Sequence, residues 1–199
     1  ESVSGFTTTG STILNDIEAL PKSLLFWRSS THYIGGLGVV VFLLLVIPSA
    51  SPYRLKLTNM EMSSLSKDGY RYTSTKVVRI ITTVYASLTV LALLSLWAAG
   101  MPFFDAINHA FSIAATGGFS TKNLSVGAFD SDLINIIVLI FMAVCAMHFG
   151  LIYAVFVTRS LKPMNNTVVR YYFGSILVMT VLIAFSLLTK GGYDSFGKA

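Results

Sequence analysis

The sequence predicts an all-α integral membrane fold built from a repeated unit: a spanning helix, a half-length helix, a glycine-bearing loop and a second spanning helix. Three observations carry this. Hydrophobic residues make up 54% of the 199 residues and charged residues 12%, with a mean hydropathy of +0.71; soluble domains carry about 25% charged residues. Apolar runs cover residues 24–47, 77–99, 133–157 and 171–188, lengths that at ~1.5 Å per helical residue approach or exceed a ~30 Å hydrocarbon core. The third observation is a near-duplication. Thr7-Thr8-Thr9-Gly10-Ser11-Thr12 recurs as Ala115-Thr116-Gly117-Gly118-Phe119-Ser120-Thr121, and setting Gly10 on Gly118 also sets Ser4 on Ser112 and Thr8 on Thr116.

The net charge of +5 is distributed by side. Arg54, Lys56, Lys67, Arg71, Lys76, Arg79, Arg159, Lys162 and Arg170 lie between apolar runs on one face, and against Glu61 and Asp68 they leave it at +7. The other face has Lys22, Arg28, Lys122, Lys190 and Lys198 against seven acids, a net −2. Lys and Arg concentrate on cytoplasmic loops, so the basic loops are expected inside and both Thr/Gly strips outside. This accounts for the charge better than a nucleic-acid surface does. The single Cys145 lies in an apolar run, which excludes a disulfide framework or a thiolate zinc site. No signal peptide is visible, and the chain opens at Glu1 beside the first strip, so it is expected to be an excerpt of a longer protein.

In chain order, Gly10 is followed by a polar connection with Asp16 and Glu18, then by Pro21, a suitable helix start. The first span covers 24–47 and ends at Pro48, with Trp27 and Arg28 expected at its outer interface as anchor and snorkelling cation. Gly35, Gly36 and Gly38 in its middle predict close approach of another helix or of a loop. Residues 49–76 are polar and basic, a cytoplasmic loop with a short helix expected around 59–66. The second span is 77–99, with Arg79 inside and Trp97 outside. Residues 101–114 are apolar but interrupted by Asp105, Asn108 and His109, and they are too short to span. Such a segment reads as re-entrant, returning as the second Thr/Gly strip. Non-helical backbone at membrane depth is tolerated only where it lines a protein-enclosed, watery cavity. The third span is 133–157 and the fourth 171–188. In the tail, Tyr193, Asp194 and Ala199 echo Phe104, Asp105 and Ala110, which predicts the start of a third re-entrant helix.

The strips suit monovalent-cation coordination. A potassium-type filter replaces an ion's water shell with backbone carbonyl oxygens, and turning successive carbonyls to one axis needs dihedrals that glycine adopts freely. Gly10 and Gly118 are so placed; Thr8, Thr9, Thr116 and Gly117 would supply neighbouring carbonyls, with Ser11 and Phe119 the outer ones. The C-terminal end of the half-helix adds partial negative charge. The strips contain no carboxylate, which disfavours divalent-cation designs.

Other residues support the competing classes less. His148 and Cys145 lie three apart on one helix face but have no further ligands. His109 is expected to pack or hydrogen-bond beside the strip rather than touch an ion. Asp105 is expected to cap the half-helix, and Asp16, Glu18, Asp130 and Asp132 are solvated loop acids. A secondary transporter of another solute, the alternative reading, would need convergent charged or aromatic residues at mid-depth, and an enzyme would need clustered acids or histidines within the spans.

Ser4-Gly5-Phe6-Thr7-Thr8-Thr9-Gly10, Phe26-Trp27-Arg28, His32-Tyr33-Ile34-Gly35-Gly36-Leu37-Gly38 and Gly117-Gly118-Phe119-Ser120-Thr121 together resemble the membrane subunits of Trk-type potassium-uptake systems, the TrkH/TrkG kind within the wider Trk/Ktr/HKT superfamily. The resemblance runs over essentially the whole chain. It implies four repeats around a single pseudo-fourfold pore. Residues 1–48 would then be the end of repeat 1 and 49–76 a cytoplasmic loop. Residues 77–160 would be repeat 2, with pore helix 101–115, filter loop 116–121 and helix 133–159; residues 161–199 would start repeat 3. It further implies potassium bound through the filter residues, no cofactor, a homodimer and a cytosolic nucleotide-binding regulatory subunit of the TrkA kind. The location implied is the bacterial plasma (inner) membrane.

Overall fold

The computed structural model describes residues 1–46, 74–147 and 149–189. The expected helix at 59–66, His148 and the tail from Tyr193 lie outside the described residues. Among those described, all regular structure is helical: α1 (Ser2–Phe6), α2 (Lys22–Val46), α3 (Ser74–Ala98), α4 (Phe103–Ala114), α5 (Asp132–Cys145), α6 (Phe149–Thr158) and α7 (Thr167–Thr189). The chain forms two compact units, Glu1–Tyr153 and Ala154–Ala199.

In the first unit the half-length helix α4 sits at the centre, packed against α2, α3 and α5. Its small residues allow this: Ala106 and Ala110 are fully buried. On α3, Ile81, Val84, Tyr85, Leu88, Ala92 and Leu96 are buried at helical spacing, while Val90, Leu91, Leu94 and Trp97 are exposed. A helix apolar on both its packed and its open faces suits a lipid environment. Two described segments, Val78–Ala98 and Thr167–Leu187, are long and apolar enough to cross a membrane. α3 ends in a Schellman cap: Gly100 sits at φ +97°, with Gly100 N–H donating to Trp97 O and Met101 N–H to Leu96 O. Pro102 then opens α4.

The two central glycines of α2 meet neighbours as expected. A side chain on Gly35 would run into the backbone carbonyl of Phe6, and one on Gly36 would lie 2.8 Å from the Tyr85 hydroxyl and 3.1 Å from Ala115 Cα. A side chain on Gly38 would meet nothing within 4 Å among the described residues. Tyr85 donates to Tyr33 O at 3.0 Å, and Tyr33 stacks on Phe111 at 4.6 Å, which ties α2, α3 and α4 together.

Two expectations about elements change. The apolar run expected as one span over 133–157 is divided into α5 and α6. At the end of α5, Met147 N–H turns back to Val144 O, a three-residue bond that tightens the last turn. Apolarity reports burial and is blind to such a break. In the second unit α7 begins at Thr167, four residues ahead of the apolar run, because Asn166 Oδ1 accepts from Val168 N–H and starts the helix.

Candidate functional site

The two Thr/Gly strips have the same backbone. α1 and α4 both end in a residue with right-handed dihedrals, Thr7 (φ −85°, ψ −1°) and Ala115 (φ −81°, ψ −4°). Next comes a left-handed threonine in each, Thr8 at φ 54° and Thr116 at φ 51°, and two residues later a left-handed glycine, Gly10 at φ 76° and Gly118 at φ 93°. The hydrogen bonds match residue for residue. Thr8 N–H donates to Gly5 O and Thr9 N–H to Ser4 O; Thr116 N–H donates to Ile113 O and Gly117 N–H to Ser112 O. Both are Schellman caps, in which the left-handed position is ordinarily glycine, as it is at Gly100. A β-branched residue there is an outlier that holds strain. Replacing Thr116 by Gly is therefore expected to raise the thermal stability of the full-length protein in detergent, by about 1 kcal/mol, with a lower unfolding temperature as the contrary result.

The strips lie side by side. A side chain on Gly10 would collide with the carbonyl oxygen of Gly117, so glycine is required at Gly10 by both its dihedral and its neighbour. Thr9, Ser11, Thr116 and Gly118 are exposed, Thr8 and Gly10 half-buried, Gly117 and Phe119 buried. All eight residues singled out in the sequence thus fall on two adjacent strands of loop.

Side chains of α4 hold the second strip. Ser112 Oγ accepts from Gly118 N–H at 2.9 Å. His109 bridges Asp105 O, 2.8 Å from Nδ1, and Ser120 Oγ, 3.0 Å from Nε2. The carbonyl can only accept, so Nδ1 carries a proton; the neutral ring's Nε2 then accepts the Ser120 O–H, whose oxygen accepts from Lys122 N–H. His109 has the hydrogen-bonding role expected of it. Asp105 does not cap α4: Pro102 occupies that position without a side-chain bond, and Asp105 Oδ1 instead accepts from Thr121 Oγ1 at 2.7 Å. Its place in the first turn still favours a negative charge, but the loop offers it a hydroxyl donor. A cavity of about 490 Å³ lies beside this strip, lined by His109, Ser112, Thr116 and Phe119 and, from α5, Val138 and Met142.

Arg28 is the largest departure from expectation. It does not reach out to solvent as a snorkelling cation would: it is 6% exposed, and its Nε donates to Glu1 Oε2 at 2.9 Å. Its Nη1 donates to Ser120 O at 3.1 Å, and its guanidinium lies 4.0 Å from the centre of the Phe119 ring. One turn on, the fully buried His32 stacks on the same ring at 3.9 Å. Arg28 and His32 were visible as a pair four apart on one helix face; the partner that draws them inward was not. Trp27, by contrast, is 55% exposed.

Past the strips, the two polar connections are clasped together. Asn123 Nδ2 donates to Asp16 Oδ1 at 2.9 Å, Asn123 Oδ1 accepts from Ile17 N–H at 2.8 Å, and Lys122 pairs with Glu18 at 3.2 Å. The Asn123 amide holds the Asp16 carboxyl below its ordinary range. Among the described residues no three His, Cys, Asp or Glu side chains cluster as metal ligands.

The TrkH family profile, described as a cation transport protein, matches residues 1–192. The Trk system potassium uptake protein TrkH of Salmonella typhimurium is 38% identical over 98% of this chain and 41% of its own length. The Trk system potassium uptake protein TrkG of Escherichia coli is 34% identical over 100% of this chain and 41% of its own length. The crystal structure of the potassium transporter TrkH from Vibrio parahaemolyticus superposes with a TM-score of 0.78 at 30% identity, covering 98% of this chain and 39% of that one. The chain thus spans about two fifths of the length of these curated relatives. Apolar helices, a repeated helix–loop unit and a match along nearly the whole chain agree: this chain belongs to the TrkH family of cation transport proteins, which are integral membrane proteins.

Proposed function

We propose that the chain is part of the ion-translocating subunit of a Trk-type potassium-uptake system, and that its two Thr/Gly strips are filter loops. The observation that carries this is the shared backbone of the strips. Two adjacent loops repeat a left-handed threonine and a left-handed glycine at the same positions, and each follows a helix whose carbonyl end favours a cation. The carbonyls of Thr8, Thr9, Gly10 and Ser11, with those of Thr116, Gly117, Gly118 and Phe119, would replace the hydration shell of potassium. The names of the relatives, potassium uptake proteins of Trk systems, support potassium as the ion. A membrane potential would drive entry with ~2.3 kcal/mol per charge per 100 mV, so this subunit would need no chemistry of its own.

The same reading extends to the assembly. Residues 1–48, 77–160 and 161–199 would belong to three of four repeats around one pseudo-fourfold pore, with 49–76 a cytoplasmic loop between them. The protein would sit in a bacterial inner membrane with its filter loops outside and its basic loops in the cytoplasm. It would work as a homodimer with a cytosolic nucleotide-binding subunit of the TrkA kind. The excess of Lys and Arg on one side supports the orientation.

The test is rubidium and sodium uptake by the full-length protein in cells lacking their own potassium uptake, wild type against Gly118→Ser at equal expression. Gly118 sits at φ 93°, where a side chain is strained. Rubidium uptake in wild type, with the rubidium-to-sodium ratio lowered at least about tenfold in the variant, is expected. Equal behaviour of the two proteins would sink the filter assignment.

A further inference from the structure

Glu1 makes one further pair of contacts that gives the Arg28 ion pair its meaning. Its Oε1 accepts from Thr12 Oγ1 at 2.6 Å and from Ile13 N–H at 2.8 Å, while its Oε2 accepts from Arg28 Nε. Thr12 stands two residues past Gly10, and Ser120, whose carbonyl accepts from Arg28 Nη1, stands two residues past Gly118. One ion pair therefore joins equivalent positions of the two strips: Thr12, Glu1, Arg28, Ser120. Each strip is also held at that position from its own half-helix, by Glu1 in the first and by His109 in the second; these two residues are 108 apart, the same offset as the glycines.

We propose that Glu1 and Arg28 form a strut that sets the spacing of the two filter loops and thereby the ion preference, acting as positioning residues. This rests on the reading of the strips as filter loops. Three features suit Arg28 to it. A guanidinium is a planar fork that can serve the Glu1 carboxylate and the Ser120 carbonyl at once while its face covers Phe119. Its burial makes the pairing obligatory for the cation, which alone in that site would be uncompensated. The next unit described lacks the device: on α5, its second helix, residues 136–144 are apolar without exception, so no equivalent cation stands there.

The experiment uses the full-length protein and reads the rubidium-to-sodium uptake ratio and half-saturating rubidium, normalised to folded protein. Arg28→Lys keeps a cation for Glu1 but has a single nitrogen, which cannot hold Glu1, Ser120 and Phe119 together. Glu1→Gln combined with Arg28→Gln removes both charges and leaves neither orphaned. Both are expected to lower the ratio about tenfold, the factor of one lost charge-assisted hydrogen bond, and to change half-saturation more than maximal uptake. Thr12→Ala, at an exposed position, removes one of the two first-loop donors to Glu1 and leaves Ile13 N–H in place; it is expected to lower the ratio about threefold and keeps the test decisive if the buried variants do not fold. A wild-type ratio in Thr12→Ala, or in either folded Arg28 variant, would overturn the strut. Gly118→Ser measured alongside separates the two ideas: a changed ratio there with unchanged strut variants removes the strut alone, whereas an unchanged ratio removes the filter reading and the strut with it.

Discussion

Gly10→Ala in the full-length protein is expected to abolish ion preference and to reduce the yield of folded protein. Two costs coincide. Gly10 is left-handed at φ 76°, which costs an alanine about 1–2 kcal/mol. The added Cβ would also overlap the carbonyl oxygen of Gly117. That neighbour is backbone and cannot rotate away as a side chain can, so one strip must move. Either movement displaces a carbonyl assigned to ion coordination in both loops at once. The control is Gly38→Ala, in the same repeat, where a Cβ meets nothing within 4 Å among the described residues; alanine there gains helix propensity worth about 1 kcal/mol. Thermal unfolding and the rubidium-to-sodium uptake ratio check both variants. A Gly10→Ala protein as stable and as selective as Gly38→Ala would show that the strips do not touch as described.

His109→Leu is expected to have the next largest effect. The histidine is buried, and it connects the α4 backbone at Asp105 to the Ser120 hydroxyl, which in turn fixes Lys122 N–H. Leucine fills most of the space, so the loss is polar rather than volumetric. It leaves a part-buried carbonyl and a buried hydroxyl without one partner each, up to about 1–3 kcal/mol for the buried group. The unfolding temperature should fall, and the second strip should lose its fixed position at Ser120, lowering rubidium preference. His109→Gln retains a donor and an acceptor of similar reach and should recover part of both. Equal losses in the two variants would mean that His109 acts by packing against Phe129, whose ring it meets edge-on at 5.6 Å, rather than through its hydrogen bonds.

Much of this architecture is written in local sequence. Apolar run lengths distinguish the spanning helices from α4, because crossing a bilayer and crossing half of it need different numbers of residues. The duplicated strips announce a repeat, since a helix end followed by threonine and glycine forms the same cap at both places. Gly35 and Gly36 signal close approach, because only a missing side chain permits it. These are properties a short window of residues carries by itself.

The tertiary structure decided the rest. Arg28 reads as an interfacial cation from its neighbours in sequence, yet its partners are 27 residues before it and 92 after it. A buried charge is stable only where an opposite charge and an acceptor converge, and no local pattern reports that convergence. Asp105 suits a helix cap by position but binds Thr121, 16 residues away, because the returning loop brings a hydroxyl to it. The division between α5 and α6 is likewise invisible to an unbroken apolar run. Sequence determines which segments seek lipid and which turns they make; the placement of one loop against another decides which polar groups find each other.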